Sequence, residues 1–375
     1  MAEVVWWYSV WRLVYYFVFI MNLSRVMSMK QPNPYIVISA GGTGGHVYPA
    51  VSVAEYLVEQ SHAVSWFGRS SGFEQSLLSN HKTVKYVPIY HVFYQGRHRY
   101  IKLMAKVLGL VLAWGRCLIT MLLNRPRYVI VFGSYISFPV GLAALCLRIP
   151  LIIHEQNSVW GRANRMLAPF CKKALSGFET TKTFDNQLVT GNPLRLSWLN
   201  RVPEVSRPQS DPRMRILVLG GSQGAQTINQ LMIDLIETYP LLTERFTIQW
   251  QTGSHLVDLT HEAVEIHSYI DRMYEAYSEA DVLISRAGAM TVSEALFFSL
   301  PAVFIPYPYA TDQHQYHNAI AAAKQNKQMT VMDKPTVTEL YEHLSAMNAQ
   351  RHNRLVGDNP LIQYNGSKTL AEFIL

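Results

Sequence analysis

The chain is short of charge and of cysteine. Only 16% of its 375 residues are Asp, Glu, Lys or Arg, while 49% are hydrophobic. That balance excludes a disordered chain and leaves a protein with large cores and a surface poor in charge. The 3 cysteines, Cys117, Cys146 and Cys171, stand at no CxxC or Cys/His ligand spacing. Neither a structural zinc site nor a disulfide framework is expected, and a reducing compartment is. No Gly-Lys-Ser/Thr follows a glycine-rich turn, which excludes a P-loop, and no GxGxxG with an acidic residue ending the next strand occurs, which disfavours a nicotinamide cofactor. Helix-turn-helix, zinc-finger and RNP-type motifs are missing too, so nucleic acid is not an expected partner despite the net charge of +7.

Acidic residues are scarce in one half in particular. Residues 1–195 carry 20 Lys and Arg against 7 Asp and Glu, a balance of +13; residues 196–375 carry 13 against 19, a balance of −6. The basic, apolar first half suits an anionic membrane surface or lipid phosphates. The length suits two domains, each with its own core.

What is present is one pattern written twice. Tyr35-Ile-Val-Ile-Ser39 runs into Gly41-Gly-Thr-Gly-Gly-His46, and Arg215-Ile-Leu-Val-Leu219 runs into Gly220-Gly-Ser-Gln-Gly224. A glycine-rich turn between strand and helix allows close approach of the backbone and offers the unpaired amides of the helix N-terminus to a phosphate. Tight strand-to-helix packing would also favour glycine, but the pair of turns, with Thr43 and Ser222 at matching positions, points to two anion-binding domains. Around them β-type runs alternate with helical stretches, at 35–39, 63–67, 86–89, 128–132 and 151–154, and again at 216–219, 247–251, 264–267, 282–285 and 302–305. Such alternation predicts parallel sheets covered on both faces: an α/β protein of two Rossmann-like domains facing across a deep cleft.

The expected divisions are an apolar extension at 1–33, a first domain at 34–195, a second at 196–355, and a terminal helix within 356–375 that returns to the first domain. The polar, proline-containing stretch 201–212 is the linker candidate. Residues 4–21 are almost wholly apolar, near the minimum length for a bilayer span, yet Arg12 sits at their middle, at a cost of about 2.5–3.5 kcal/mol. An interfacial anchor, a poor transmembrane helix and translation from too early a start, with Met29 as the alternative, all remain open. A second apolar run, 101–123, follows Arg97 and Arg99 and contains Lys102 and Lys106. It reads either as a core helix or as a membrane-facing patch whose cations meet anionic headgroups.

Six stretches in order, Gly41-Gly-Thr-Gly-Gly-His-Val-Tyr-Pro-Ala50, His154-Glu-Gln-Asn157, Gly191-Asn-Pro-Leu-Arg195, Gly220-Gly-Ser-Gln-Gly-Ala225, Ala287-Gly-Ala-Met-Thr-Val-Ser-Glu294 and Asp312-Gln-His-Gln-Tyr-His-Asn318, resemble the signatures of the MurG family. The resemblance covers the chain from about residue 34 onward. It implies a GT-B fold and an inverting transfer of N-acetylglucosamine from UDP-GlcNAc to a lipid-linked muramyl-pentapeptide in peptidoglycan synthesis. It further implies residence at the cytoplasmic side of the inner membrane, with cell-wall or division proteins as partners. No cofactor and no metal are implied, and no Asp-x-Asp motif occurs.

Carried onto this sequence, the resemblance places Ser222 and the backbone of Met290 and Thr291 at the donor diphosphate, with their neighbours Ala289, Val292 and Ser293 among the substrate-binding residues. Glu294 would take the ribose, a carboxylate being a suitable acceptor for a diol. Ile270 would lie along the uracil with its backbone reading the base edge, and Gln315, with Gln313, would bind the sugar. Thr43, Gly44, Gly45, Asn157 and Arg195 would approach from the opposite wall. His46 is the first candidate for the general base, since histidine ionises near neutral pH; Glu155 is the second. The stretch Phe132-Gly-Ser-Tyr-Ile-Ser-Phe-Pro-Val-Gly141 departs from the family pattern at Phe138 and Val140, and the segment 307–311 is changed as well. A related transferase acting on diacylglycerol and a non-catalytic scaffold of the same fold are the alternatives. Retention of Ser222, Glu294 and Gln315 speaks against the scaffold, which has no use for a ribose-binding carboxylate.

Overall fold

The computed structural model describes residues 35–350 apart from 71, 80, 82, 90–98, 200, 202–210, 221–223 and 256, together with 366–373. The expectations for residues 1–33, for most of the linker, for Ser222 and Arg97, and for the side chains of Arg99 and Lys102 fall outside the described residues.

Among the described residues, thirteen strands form two sheets, and seven of them make the first: β1 (Ile36–Ser39), β2 (Val64–Arg69), β3 (Val84–Ile89), β4 (Tyr128–Val131), β5 (Leu151–Glu155), β6 (Lys173–Ser176) and β7 (Gln187–Val189). Their order is β3-β2-β1-β4-β5-β6-β7, and every pairing is parallel. Six more, β8 (Met214–Leu219), β9 (Phe246–Gln251), β10 (Val264–His267), β11 (Val282–Ser285), β12 (Ala302–Phe304) and β13 (Met329–Val331), form a second parallel sheet in the order β10-β9-β8-β11-β12-β13. The registers match at the duplicated strands. Ile36 stands between Val64 and Tyr128, and Ile216 between Ile248 and Val282.

Side chains alternate across a strand, so a sheet covered on both faces needs apolar residues at odd and even positions alike. In β1, Val37 faces Val140, Ala143 and Ala144 of the helix Ser137–Cys146 on one side. Ile36 and Ile38 face Val47, Ala50 and Ala54 of the helix Gly44–Glu59 on the other. The terminal helix Gly366–Glu372 packs on that same helix, burying Leu370 and Ala371 in the first domain's core. Full burial of one leucine contributes about 1.5–3 kcal/mol.

All ten expected strands are present. β6, β7 and β13 were not anticipated from the sequence. In β7, Leu188 and Val189 are exposed, so the sequence carries no buried apolar run to mark it.

Candidate active site

In open parallel sheets, ligands settle beyond the carboxyl ends of the strands, where the strand order reverses. Here the reversals lie between β1 and β4 and between β8 and β11. The turns that follow β1, β4 and β11, with Leu219 at the end of β8, line one cleft of about 990 Å³ with walls from both domains.

On the first wall the chain leaves β1 and enters the helix Gly44–Glu59 at Thr43, an extended N-cap whose hydroxyl makes no cap bond. Thr43, Gly44, Gly45 and His46 all border the cleft. The His46 ring lies against Gly133, whose φ is +92° and where an added Cβ would stand 3.3 Å from the imidazole. A larger residue there would be strained and would push the ring aside. His46 Nδ1 is 2.6 Å from Gln156 Oε1.

Glu155 corrects an expectation. Its carboxylate is buried and accepts four bonds: Oε1 from Asn157 N and Nδ2, both at 3.2 Å, and Oε2 from Gly161 N at 3.0 Å and Asn164 Nδ2 at 2.9 Å. Both oxygens are committed to shaping the loop after β5, which makes the residue a framework group rather than a base. Asn157 is held by Glu155 and also by the second domain, accepting at Oδ1 from Asn318 Nδ2 at 3.1 Å. Asn318 in turn accepts from Ser158 N at 2.8 Å, so this buried amide clamps the two domains beside the cleft.

On the second wall the helix Ala289–Phe297 starts after Gly288, a cap without a side chain. Ala289, Met290, Thr291 and Glu294 line the cleft, where the helix N-terminus favours negative charge. Glu294 accepts from Tyr277 Oη at 2.9 Å. Burial raises its carboxyl above the ordinary value, while the Arg195 guanidinium and the Tyr277 hydroxyl pull the other way. Arg195 sits between the rings of Tyr48 and Trp198, 5.6 and 5.1 Å from their centroids. Gln315 borders the cleft and accepts from Tyr307 N at 2.9 Å.

Three other expected contacts point elsewhere. Val292 is in the second domain's core, and its amide donates to Gly288 O. Ser293 turns toward the hinge and accepts from Asn192 Nδ2 at 2.9 Å. Ile270 is buried, with its N–H donating to Gln251 Oε1 at 3.0 Å, so that amide is already engaged. One helix explains the first two, because residues 291 and 294 share a face while 292 and 293 lie on others. Gln313 has φ +51°, as does Asp312, a left-handed pair ahead of the helix His314–Gln325. Gln251, Tyr48, Tyr135 and Tyr269 also border the cleft and were not singled out from the sequence. Tyr48 lies within the first quoted motif, and Tyr269 is next to Ile270, so proximity to a motif was the one available signal.

His154 is fully buried, and burial lowers its pKa from 6.5 to about 4. It is therefore neutral in the folded chain at pH values where the unfolded chain binds a proton. Its contribution to stability is complete above about pH 6.5, and declines as pH falls from there toward 4, by about 3 kcal/mol in all. Urea unfolding between pH 4.5 and 7 should show this loss in the wild type and a shallower slope in His154→Gln; parallel slopes would refute it.

Two parallel-sheet domains meeting at one cleft form a GT-B architecture, which the family matches turn into a class of enzyme, the glycosyltransferases. The glycosyltransferase family 28 N-terminal domain matches residues 36–176, and the glycosyltransferase family 28 C-terminal domain matches residues 215–361. The UDP-N-acetylglucosamine–N-acetylmuramyl-(pentapeptide) pyrophosphoryl-undecaprenol N-acetylglucosamine transferase of Coxiella burnetii is 38% identical over 76% of this chain and 81% of its own. The protein of the same name from Francisella philomiragia is 34% identical over 87% and 91%. The crystal structure of Acinetobacter baumannii MurG superposes with a TM-score of 0.70 at 29% identity, covering 91% of this chain and 99% of its own. The chain belongs to the MurG family.

Proposed function

We infer that the chain is a glycosyltransferase that moves N-acetylglucosamine from UDP-GlcNAc to the muramyl sugar of a lipid-linked pentapeptide acceptor in peptidoglycan synthesis. Beyond its family, the observation that carries this reading is the pairing of opposed walls in one cleft. A helix N-terminus with Glu294 stands on one wall, and a glycine turn with His46 on the other.

The donor lies on the second domain. Amides of the first turn of Ala289–Phe297, with Met290 and Thr291, meet its diphosphate, Glu294 accepts from the ribose hydroxyls, and Gln315 binds the sugar. Ser222 belongs to the same group by its place in the second glycine turn. Thr43, Gly44, Gly45 and Arg195 meet the acceptor diphosphate. His46 takes the proton of the acceptor hydroxyl as that oxygen bonds the anomeric carbon from the face opposite UDP. The bond to the β-phosphate oxygen breaks, and the departing charge falls to the amides of the helix Ala289–Phe297.

The chain works at the cytoplasmic face of the inner membrane. In support, the helix Arg99–Leu123 is anchored by Ala113, Cys117 and Met121 in the first domain's core, yet exposes Leu103, Met104, Val107, Leu108, Val111 and Leu112. An apolar face of this extent rarely stays in water. The same wall carries Leu110, Phe138 and Met166 into the cleft, giving a lipid-borne acceptor an apolar approach. Cell-wall or division proteins remain proposed partners on the resemblance alone.

One assay tests both parts. Labelled GlcNAc should pass from UDP-GlcNAc to a muramyl-pentapeptide diphosphate lipid held in anionic vesicles and to a short-chain soluble analogue. No product with either acceptor, from folded protein, would overturn the transferase reading. Leu103→Asp with Val107→Asp should reduce transfer in vesicles at least tenfold and leave the soluble reaction intact; equal rates in vesicles would overturn the membrane face.

A further inference from the structure

We propose that Gln156 and His154 are positioning residues that fix the tautomer of His46, holding the proton on Nδ1 and leaving the Nε2 lone pair for the acceptor hydroxyl. The proposal rests on the reading of His46 as the base.

The argument starts at the far end of a chain of bonds. His154 Nε2 is 3.1 Å from the carbonyl of Gly191, an oxygen that can only accept, so Nε2 carries the proton. The ring is fully buried and neutral, which leaves Nδ1 as an acceptor. Gln156 Nε2 lies 3.1 Å from that Nδ1 and 3.0 Å from the His154 carbonyl, two acceptors that together demand an NH₂ group. The amide orientation is therefore set, and Oε1 is the atom presented to His46. At 2.6 Å, His46 Nδ1 must donate to it. Each link permits one assignment of protons, and the last is Nδ1–H on His46.

Free imidazole in water favours the other tautomer, with the proton on Nε2, which would block proton acceptance at that atom. Which ring nitrogen holds the proton is decided by the bond made at its neighbour. In Ser-His-Asp sites a carboxylate makes that bond and also stabilises the imidazolium. A neutral amide does the first without adding charge beside the acceptor's own phosphates.

The chain is also tied to the join between domains. Gly191, with φ +76°, precedes Asn192, whose Nδ2 donates to the Gln156 carbonyl at 3.0 Å and to Ser293 of the second domain at 2.9 Å. The backbone of Gln156, from which the orienting side chain springs, is thereby held by the turn that carries the chain into the donor domain.

The test uses the full chain with ¹⁵N-labelled histidine, reading the His46 ring nitrogens by NMR alongside kcat and the UDP-GlcNAc KM. In the wild type, His46 should carry its proton on Nδ1. Gln156→Met, close in volume but with no donor and only a weak thioether acceptor, should move the proton to Nε2 and lower kcat about 10- to 100-fold, a part of what a positioned base supplies. Donor KM should stay within about twofold, since the base does not touch the nucleotide. Gln156→Glu restores an acceptor at Nδ1 and should regain the Nδ1–H tautomer and much of the lost kcat. A proton on Nε2 in the wild type, or a tautomer indifferent to Gln156→Met, overturns the proposal, and the wild-type spectrum decides the matter even if a variant does not fold. A tautomer that switches without any change in kcat supports the positioning chain and instead overturns His46 as the base.

Discussion

His46→Gln should lower kcat by about 10²- to 10⁴-fold, the usual worth of a positioned general base, with the UDP-GlcNAc KM nearly unchanged. Glutamine keeps a polar side chain near Gln156 but has no basic nitrogen to take a proton. The split between kcat and KM follows from the two walls. His46 ends the glycine turn of the first domain, whereas the residues assigned to the nucleotide belong to the second. A kcat within about tenfold of wild type would show that the proton leaves by another route. Glu155 does not supply that route, because its oxygens already accept from Asn157, Gly161 and Asn164.

Glu294→Ala should act on the donor instead, raising its KM by about 10- to 100-fold, since hydrogen bonds to a charged group contribute about 1.5–3 kcal/mol. The pH dependence has a definite sign. The ribose needs an acceptor, so the carboxylate is the binding form. Burial raises its pKa, and donor affinity should therefore weaken as pH falls, starting above the ordinary carboxylate range. Tyr277 donates to Glu294 and favours the ionised form. Tyr277→Phe should shift that limb to higher pH. A donor KM independent of both substitutions would remove the ribose assignment.

The sheets were legible in the sequence for a physical reason. Strands buried on both faces must be apolar at every position, so runs such as Ile36-Val-Ile38 and Ile216-Leu-Val-Leu219 stand out without periodicity. Edge strands such as β7 bury little and leave no such mark. The first glycine turn and the order of the motifs likewise pointed to the walls of the cleft, because backbone approach to phosphate restricts residue type locally.

Side-chain roles were legible only in part. In the His154-Glu-Gln-Asn157 motif the acid drew attention, as carboxylates do, yet the acid shapes a loop and the adjacent amide reaches the candidate base. Nothing local distinguishes the two. Gln156 meets His46 across 110 positions of chain, and His154 meets Gly191 across 37. In the same way Thr291, Val292, Ser293 and Glu294 form one continuous motif, but a helix turns them toward the cleft, the core, the hinge and the cleft in succession.

The sequence by itself determined that there are two parallel-sheet domains, that each carries a glycine-rich stretch after its first strand, and that the first is basic and the second acidic. Those properties are set by burial, backbone freedom and net charge, which act residue by residue. Only the tertiary structure decided which side chains in the turns face the cleft, which are spent on the frame, and which nitrogen of His46 is left free. Hydrogen-bond roles depend on partners brought together from distant strands, and no local rule contains them.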